Sequence, residues 1–96
     1  MAGAHFEGIE QFGEVMKELI ECMAKALVDD PEQVHVNVVN GEHVTIVELK
    51  VPANDLGKVI GKSGRTAEAM RTILGAASAR HGVRCKLEIT ELVVSE

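Results

Sequence analysis

The 96-residue sequence is poor in aromatic side chains, with no tryptophan, no tyrosine and two phenylalanines. Both of them, Phe6 and Phe12, lie far from the basic part of the chain. RRM domains and OB-folds bind single strands by stacking bases on an aromatic platform. The scarcity of aromatics therefore argues against both modules. The length fits one small domain.

The chain also lacks the marks of membrane insertion, export and catalysis. No run approaches the roughly 20 apolar residues of a membrane span, and the acidic N-terminal segment does not resemble a signal peptide. Cys22 and Cys85 have no motif spacing, so we expect packed, reduced thiols in a cytoplasmic protein. The four histidines form no metal-ligand pattern, and Ser63 has no histidine nearby in sequence. We therefore expect no metal, no other cofactor and no enzymatic activity.

Positive charge is scarce overall but concentrated in one segment. The net charge is −5, and residues 1–56 carry three lysines against eleven acidic residues. Residues 57–86, in contrast, carry seven lysines and arginines against Glu68 alone. A polyanion responds to a local patch before it responds to the net charge. The basic segment favours a nucleic-acid partner, although a solvated helix face could have the same composition.

The first half of the chain predicts a helix and two strands. Apolar residues at three- and four-residue spacing predict an amphipathic helix over residues 9–28, which Pro31 follows. Alternating valines predict a strand over residues 34–39, and residues 43–51 predict a second.

The connection between these strands predicts their register. Asn40-Gly41 suits a two-residue hairpin turn because both residues tolerate positive φ angles. Such a turn pairs residues whose numbers sum to 81 and places Val36 opposite Thr45. The buried face of the second strand would hold Val47, Leu49 and Val51.

The second half predicts two helices and a final strand. A short helix begins near Asn54, and a longer one runs from Gly64 to about Arg80, where Gly82 stops it. Residues 83–90 alternate as a strand. The short helix is expected to direct Leu56, Val59 and Ile60 inward. The longer helix is expected to bury Ala67, Met70, Ile73, Leu74 and Ala77, and the strand to bury Val83, Cys85, Leu87 and Ile89.

The stretch from Gly57 to Gly64 can be interpreted as either of two phosphate-binding loops. A nucleotide-binding P-loop needs four residues between its first glycine and the Gly-Lys-Ser/Thr end, whereas three separate Gly57 from Gly61. The predicted short helix also stands where a P-loop needs a buried strand. The second interpretation is a GXXG loop between two helices, Gly61-Lys62-Ser63-Gly64. Its glycines permit a sharp turn and close approach of a backbone.

These features together resemble the KH domains. The element order favours the type II arrangement, in which a helix and a strand precede the helix–GXXG–helix core. Three stretches are similar to the small stand-alone bacterial KH proteins of the KhpA family: "MKELIECMAKALVDDPEQV" (16–34), "VPANDLGKVIGKSGRTAEAMRTIL" (51–74) and "LEI" (87–89). The resemblance assigns residues 16–91 to the KH domain. Residues 1–15 are then an extension, partly flexible or the start of the first helix, and residues 92–96 are a tail.

The resemblance implies an α+β fold of order α-β-β-α-α-β, with a three-stranded sheet and helices packed on one face. It also implies single-stranded RNA, or less often DNA, held over about four nucleotides. The implied clamp is Gly61, Lys62, Ser63 and Gly64, with phosphate charge from Lys58 and Arg65 and an apolar side from Leu56, Val59 and Ile60.

The family resemblance further implies an RNA chaperone linked to cell elongation and division. The implied protein partner is a second KH-containing protein of the KhpB (Jag) type, or a second copy of the chain. A different class of function stays open, in which the KH fold is an adaptor or dimerisation module with weak RNA affinity. The alanine-rich run over residues 76–79 would permit close helix packing, either within the chain or in such a dimer.

Overall fold

A computed structural model describes the backbone of residues 2–93 and the side chains of residues 11–93. Its elements are helix α1 (Ala2–Leu27), strands β1 (His35–Asn40) and β2 (Thr45–Val51), helices α2 (Ala53–Ile60) and α3 (Arg65–His81), and strand β3 (Cys85–Glu91). Two 3₁₀ turns, Pro31–Gln33 and Lys62–Gly64, lie before β1 and between α2 and α3. The predicted α+β class and element order are confirmed.

Helix α1 packs on the sheet through side chains four residues apart. Phe12, Met16, Ile20 and Ala24 are all buried, as expected for one face of an amphipathic helix. The helix begins at Ala2, earlier than the predicted residue 9. Residues 2–8 contain no proline, so nothing interrupts the hydrogen-bond ladder.

The hairpin between β1 and β2 differs from the prediction in its turn. Asn40 is the last residue of β1 and pairs with Thr45, so paired numbers sum to 85 and four residues form the loop. The Gly41 N–H donates to the Val44 carbonyl (2.8 Å), and neither Asn40 nor Gly41 has a positive φ. The two-residue turn was therefore wrong. The register moves by four residues, an even number, so the predicted buried face is unchanged.

Strand β2 is the centre of the sheet and provides much of the core. It pairs antiparallel with β1 and parallel with β3, in the order β1-β2-β3. Val47, Leu49 and Val51 are completely buried, as predicted, and each such burial stabilises the fold by about 1.5–3 kcal/mol. A parallel pair needs a long crossover, and α2 with α3 forms it.

Helices α2 and α3 bury fewer apolar residues than predicted. The buried positions of α2 are Asp55 and Val59, one turn apart, so Ile60 points away from the core and is 37% exposed. In α3, Met70 and Leu74 are buried, whereas Ile73 lies beside that face and is 45% exposed. The predictions that Ile60 and Ile73 face inward were wrong.

The ends of these helices agree with the prediction except at one position. Helix α2 begins at Ala53 after Pro52, so Asn54 lies in its first turn and does not cap it. Helix α3 ends at His81, and its C-cap residue Gly82 has a φ of +66° and donates its N–H to the Ala79 carbonyl. No helix in residues 2–93 is long and apolar enough to cross a membrane.

Candidate nucleic-acid interface

The loop between α2 and α3 has an unusual backbone conformation. Gly61, Ser63 and Gly64 have φ angles of +79°, +56° and +74°, and Ser63 is the one non-glycine residue with positive φ among residues 2–93. The Gly64 N–H donates to the Gly61 carbonyl (3.0 Å), which closes the turn. Three positive φ angles within four residues turn the chain sharply between the helices, and the central side chains of Lys62 and Ser63 are exposed.

Gly61 is required by its neighbour in α3. A Cβ atom at this position would lie 2.1 Å from the Thr66 Oγ1 and 2.9 Å from the Thr66 backbone nitrogen. Contacts below 3.0 Å essentially do not occur for real Cβ atoms. The glycine therefore allows the end of α2 to pack against the first turn of α3.

Gly64 faces open space instead. Apart from its chain neighbours, no atom of the described residues lies within 4 Å of a Cβ atom placed there, so its positive φ is the reason within this part of the chain for a glycine. Gly64 is also the N-cap of α3 and provides no side-chain hydrogen bond to the helix. The first turn of α3 thus offers backbone N–H groups and the positive end of the helix dipole to an anion.

Two of the three side chains predicted to supply phosphate charge lie exposed at this turn. Lys62 and Arg65 are exposed, and no carboxylate lies within 4.0 Å of either among the side chains of residues 11–93. Lys58 differs, because its Nζ lies 3.2 Å from Asp29 Oδ2 and 3.8 Å from Asp55 Oδ1. Lys62 and Arg65 therefore lie at the loop with their charges unpaired among the described side chains, whereas Lys58 forms ion pairs with Asp29 and Asp55.

Asp55 is a residue that sequence reasoning missed. Its side chain is completely buried and accepts the backbone N–H groups of Asp29 (3.1 Å) and Asp30 (3.2 Å). It thereby joins the segment after α1 to α2, the helix that carries the loop. The available signal was its position four residues before Val59, which places a carboxylate on the apolar face of a short helix.

The predicted apolar residues of α2 have different positions. Val59 is completely buried and cannot contact a ligand directly, whereas Ile60 is exposed beside Gly61 and Leu56 is half-buried. Ile60 is thus the apolar side chain of this set that is open to a ligand. Gly57, the first glycine of the P-loop alternative, lies within α2 and not after a strand. The structure contradicts that alternative.

Strand β3 lies beside α2 and α3 and forms an edge of the sheet. Arg71, in the middle of α3, donates from Nη2 to the Leu87 carbonyl of β3 (3.4 Å). We call the strip between these two elements the α3–β3 groove. The loop lies at one end of it, where α3 begins.

The cysteines are free but differ in environment. Cys22 is exposed, which contradicts the prediction of two packed thiols, and Cys85 is half-buried. Burial raises the pKa of the Cys85 thiol above its ordinary value of 9.0, and a hydrogen bond with Ser78 partly opposes this. Cys85 is therefore a protonated packing residue at neutral pH.

The element order, the mixed three-stranded sheet and the helix–loop–helix unit define the class of this protein. This combination is that of a type II KH domain. The loop residues Gly61–Gly64 lie at the position where such domains contact a nucleic-acid backbone.

Comparison with known proteins narrows this class. A family model described as "KhpA/KhpB, KH domain" matches residues 17–89. The chain is 55% identical over 74 residues to the RNA-binding protein KhpA of Clostridium perfringens, covering 77% of this chain and 99% of that protein. The proteins of the same name from Borreliella burgdorferi (50% over 74 residues; 77% and 90% covered) and Chlamydia caviae (47% over 76 residues; 79% and 97% covered) are similar as well.

The chain therefore belongs to the KhpA/KhpB family of KH-domain proteins. This is not an enzyme family, in agreement with the expectation that the chain is not an enzyme. The match begins at residue 17. The first part of α1, residues 2–16, therefore lies outside the family model.

Proposed function

We propose that the chain binds single-stranded RNA by holding its phosphate backbone at Gly61, Lys62, Ser63 and Gly64. The observation that carries this proposal is the tight loop at the start of α3, which has no side-chain cap and has the exposed cations Lys62 and Arg65 beside it. Oriented N–H groups and lysine or arginine side chains are the usual partners of phosphate oxygens. The similar proteins named as RNA-binding support RNA as the ligand.

Each residue has a specific role in this proposal. The backbone N–H groups of Lys62 and Ser63 and the Ser63 hydroxyl donate hydrogen bonds to phosphate oxygens, and the side chains of Lys62 and Arg65 supply charge. Gly64 leaves room for the nucleic-acid backbone to approach. Ile60 contacts a base from the apolar side, and the buried Val59 packs in the core and holds α2 in place.

Replacement of Lys62 and Ser63 by aspartate tests the proposal. Loop carboxylates repel phosphate, so binding of the double variant to short single-stranded RNA, measured by fluorescence anisotropy, should be nearly lost. Wild-type affinity should fall with salt with a slope of about 0.7 for each phosphate contacted. Circular dichroism should show an unchanged fold, because both side chains are exposed.

A matched pair of variants controls for the change of net charge. Lys62→Glu and Lys50→Glu change the net charge equally, but Lys50 is exposed on β2, outside the loop. Lys62→Glu should weaken binding well beyond Lys50→Glu. Equal effects, or wild-type binding by the Lys62/Ser63 double variant, would refute the assignment of the loop. Competition with DNA of the same sequence measures the preference for RNA.

We propose pairing with a second KH protein as a further function, because one observation favours it. A cleft of about 280 Å³ between α1 and α3 is lined by Met23, Ala26, Leu27, Thr66, Ala69, Met70 and Ile73. Leu27 and Ile73 are large apolar side chains with exposed fractions of 38% and 45%. Such a surface suits a second copy or a KhpB-like partner. Light scattering of wild type and Leu27→Glu tests the first case: an equal monomeric mass for both proteins would contradict self-pairing.

We infer the cellular role from the family resemblance: a cytoplasmic RNA chaperone linked to cell elongation and division. The supporting observation is the exposed basic loop of Lys62 and Arg65, because contacts to phosphate carry no sequence information and so suit contact with many RNAs. Cell length in a strain carrying the Lys62/Ser63 double variant tests this role. A normal length, despite lost RNA binding in vitro, would separate RNA binding from cell shape.

A further inference from the structure

We propose that strand β1 is a docking edge for a second copy of this chain. The two β1 strands pair antiparallel and join two three-stranded sheets into one sheet of six strands. We call the open side of this strand the β1 edge. It is separate from the loop and from the cleft between α1 and α3, so the inference goes beyond the proposed function.

The hydrogen bonds of the hairpin show which backbone groups of β1 face the open side. β1 pairs with β2 alone. The Gly41 N–H donates to the Val44 carbonyl, whereas the Thr45 N–H donates to the opposite side, towards β3. Hydrogen-bonded pairs recur at every second residue of an antiparallel ladder. The odd-numbered residues of β1 therefore bond to β2, and Val36 and Val38 direct their N–H and carbonyl groups to the β1 edge.

The described part of the chain leaves the β1 edge unprotected. Within it, no hydrogen bond from outside the sheet reaches the backbone of Val36 or Val38. Natural edge strands are blunted by lysine, proline or a bulge, whereas β1 contains neither residue and has an unbroken register with β2. A cleft of about 460 Å³ lies beside the start of the strand, with Lys17 and Glu21 of α1 on one side. Another strand can therefore reach these groups.

The sequence of β1 is self-complementary about Asn37. A two-fold pair uses the same patch on both copies, and an axis through Asn37 sets Val36 opposite Val38 of the second copy. These two valines carry the outward backbone groups, so they form a hydrogen-bonded pair. Their side chains pack against the core and are half-buried, and pairing covers more of them. The exposed Asn37 meets its own counterpart, whose amide both donates and accepts.

Helix α1 adds complementary charges on both sides of the same axis. It runs antiparallel to β1, because a Cβ atom at Gly13 would lie 3.2 Å from Val38, whereas Lys17 lines the cleft at the start of the strand. Asn37 therefore lies beneath the part of α1 between Glu14 and Lys17. Across the axis, Glu14 of each copy faces Lys17 of the other. Among the side chains of residues 11–93, Lys17 has no carboxylate within 4.0 Å, so its charge is not used within the fold.

The position of α1 leaves room for this pairing. Neighbouring strands lie about 4.8 Å apart, whereas packed helices need about 8–10 Å between their axes. Helix α1 contacts β2 as well as β1, so its axis lies back from the β1 edge. Pairing of the strands then brings the two α1 helices to packing distance.

Amide exchange of the wild-type chain tests the β1 edge directly. In a single copy the N–H groups of Val36 and Val38 face solvent, whereas pairing protects them. Their exchange, measured by NMR, should slow by about tenfold or more from low to high protein concentration. The exposed loop residues Lys62 and Ser63 serve as the control and should exchange equally at both concentrations. Equal exchange of Val36 and Val38 at both concentrations would overturn the proposal.

Opposed charges test the register. All variants carry Leu27→Glu, which places a charge in the cleft between α1 and α3 and so blocks pairing there. Asn37→Glu/Lys17→Glu makes the contacts across the axis acidic, and Asn37→Lys/Glu14→Lys makes them basic. Each variant alone should lose about ten- to hundredfold in dimer affinity by sedimentation equilibrium, because like charges directly opposite each other destabilise strand and helix pairs. An equimolar mixture of the two should regain the affinity of the Leu27→Glu parent.

A matched control separates the β1 edge from net charge. Lys86→Glu/Thr90→Glu in the same background changes the charge as the acidic variant does, at exposed positions on β3, the opposite edge of the sheet. It should leave the dimer affinity unchanged. An equal loss in this control, or a mixture that stays monomeric, would overturn the β1 edge. A monomeric Leu27→Glu parent would also overturn it and leave the edge to a strand of another protein. Circular dichroism confirms that all variants are folded.

Discussion

Gly61 and Gly64 should respond differently to the same substitution, although both have positive φ. Gly64→Ala introduces strain of about 1–2 kcal/mol from the left-handed conformation alone, because its Cβ meets no protein atom. Gly61→Ala is strained by about 1–3 kcal/mol, because its φ of +79° with a ψ of 171° is a conformation that essentially only glycine adopts. The contact with the Thr66 side chain adds overpacking of about 1–3 kcal/mol more. We therefore expect Gly61→Ala to lose about 2–6 kcal/mol in the free energy of unfolding and Gly64→Ala to lose about 1–2 kcal/mol.

Urea denaturation followed by circular dichroism measures both free energies. For a domain of this size, each kcal/mol lowers the melting temperature by about 4–8 °C. The second substitution Thr66→Ala removes the Oγ1 atom but keeps the Cβ atom and the backbone nitrogen, which a Cβ at position 61 would also meet. It should therefore recover at most part of the loss in Gly61→Ala and none in Gly64→Ala. Equal destabilisation by the two glycine substitutions, or recovery with Thr66→Ala in Gly64→Ala alone, would refute the stated packing of the loop. RNA binding should show the opposite order among folded variants, since a Cβ at Gly64 faces the ligand.

Three further predictions concern the core and the thiols. Asp55→Ala should lower the free energy of unfolding by about 2–5 kcal/mol in urea denaturation, because a hydrogen bond to a charged group contributes about 1.5–3 kcal/mol and the Asp29 and Asp30 N–H groups both lose their acceptor; a loss below about 1 kcal/mol would contradict it. Phe12→Ala should cost about 3–5 kcal/mol, because Phe12 is buried with its ring centroid 5.3 Å from that of His81; a neutral effect would show that the N-terminal segment is dispensable for the core. Cys22 should react with a thiol reagent at pH 8 well before Cys85, because Cys22 is exposed. The raised pKa of Cys85 should also make the free energy of unfolding fall as the pH rises above 9.0, because the thiol ionises first in the unfolded chain. A Cys85→Ala variant that keeps the same alkaline loss of stability would refute this.

Apolar spacing predicted most of the fold, because burial repeats along a helix or strand with a fixed period. The period of two in β1 and β2 placed Val47 and Leu49 correctly even though the turn was wrong. The turn was wrong because Asn40-Gly41 permits a tight hairpin without requiring one. The Asn40 side chain instead accepts a hydrogen bond from the Thr45 hydroxyl (3.3 Å), a contact that local propensity does not include.

The loop was the part of the site that sequence could locate, since glycine spacing and flanking lysines lie close together in the chain. The ion pairing of Lys58 could not be predicted in this way. Its partner Asp29 is distant in sequence, and the two meet because α1 ends beside α2. Ile60 and Ile73 were misplaced for a related reason. Two adjacent apolar residues of a helix are equally hydrophobic, and tertiary packing decides which of them faces the core.

The buried carboxylate of Asp55 couples the segment after α1, in the acidic part of the chain, to α2, which leads into the basic part. Its hydrogen bonds fasten the backbone after α1 to the helix that leads into the loop, so opening of either segment breaks contacts of the other. The amide protons of Asp29 and Asp30 should therefore exchange with solvent in the same opening event as those of α2. A ligand at the loop would then slow exchange at the end of α1, on the far side of the ion pairs. Hydrogen exchange at Asp29 and Asp30 would thus report occupancy of the loop from a segment outside it.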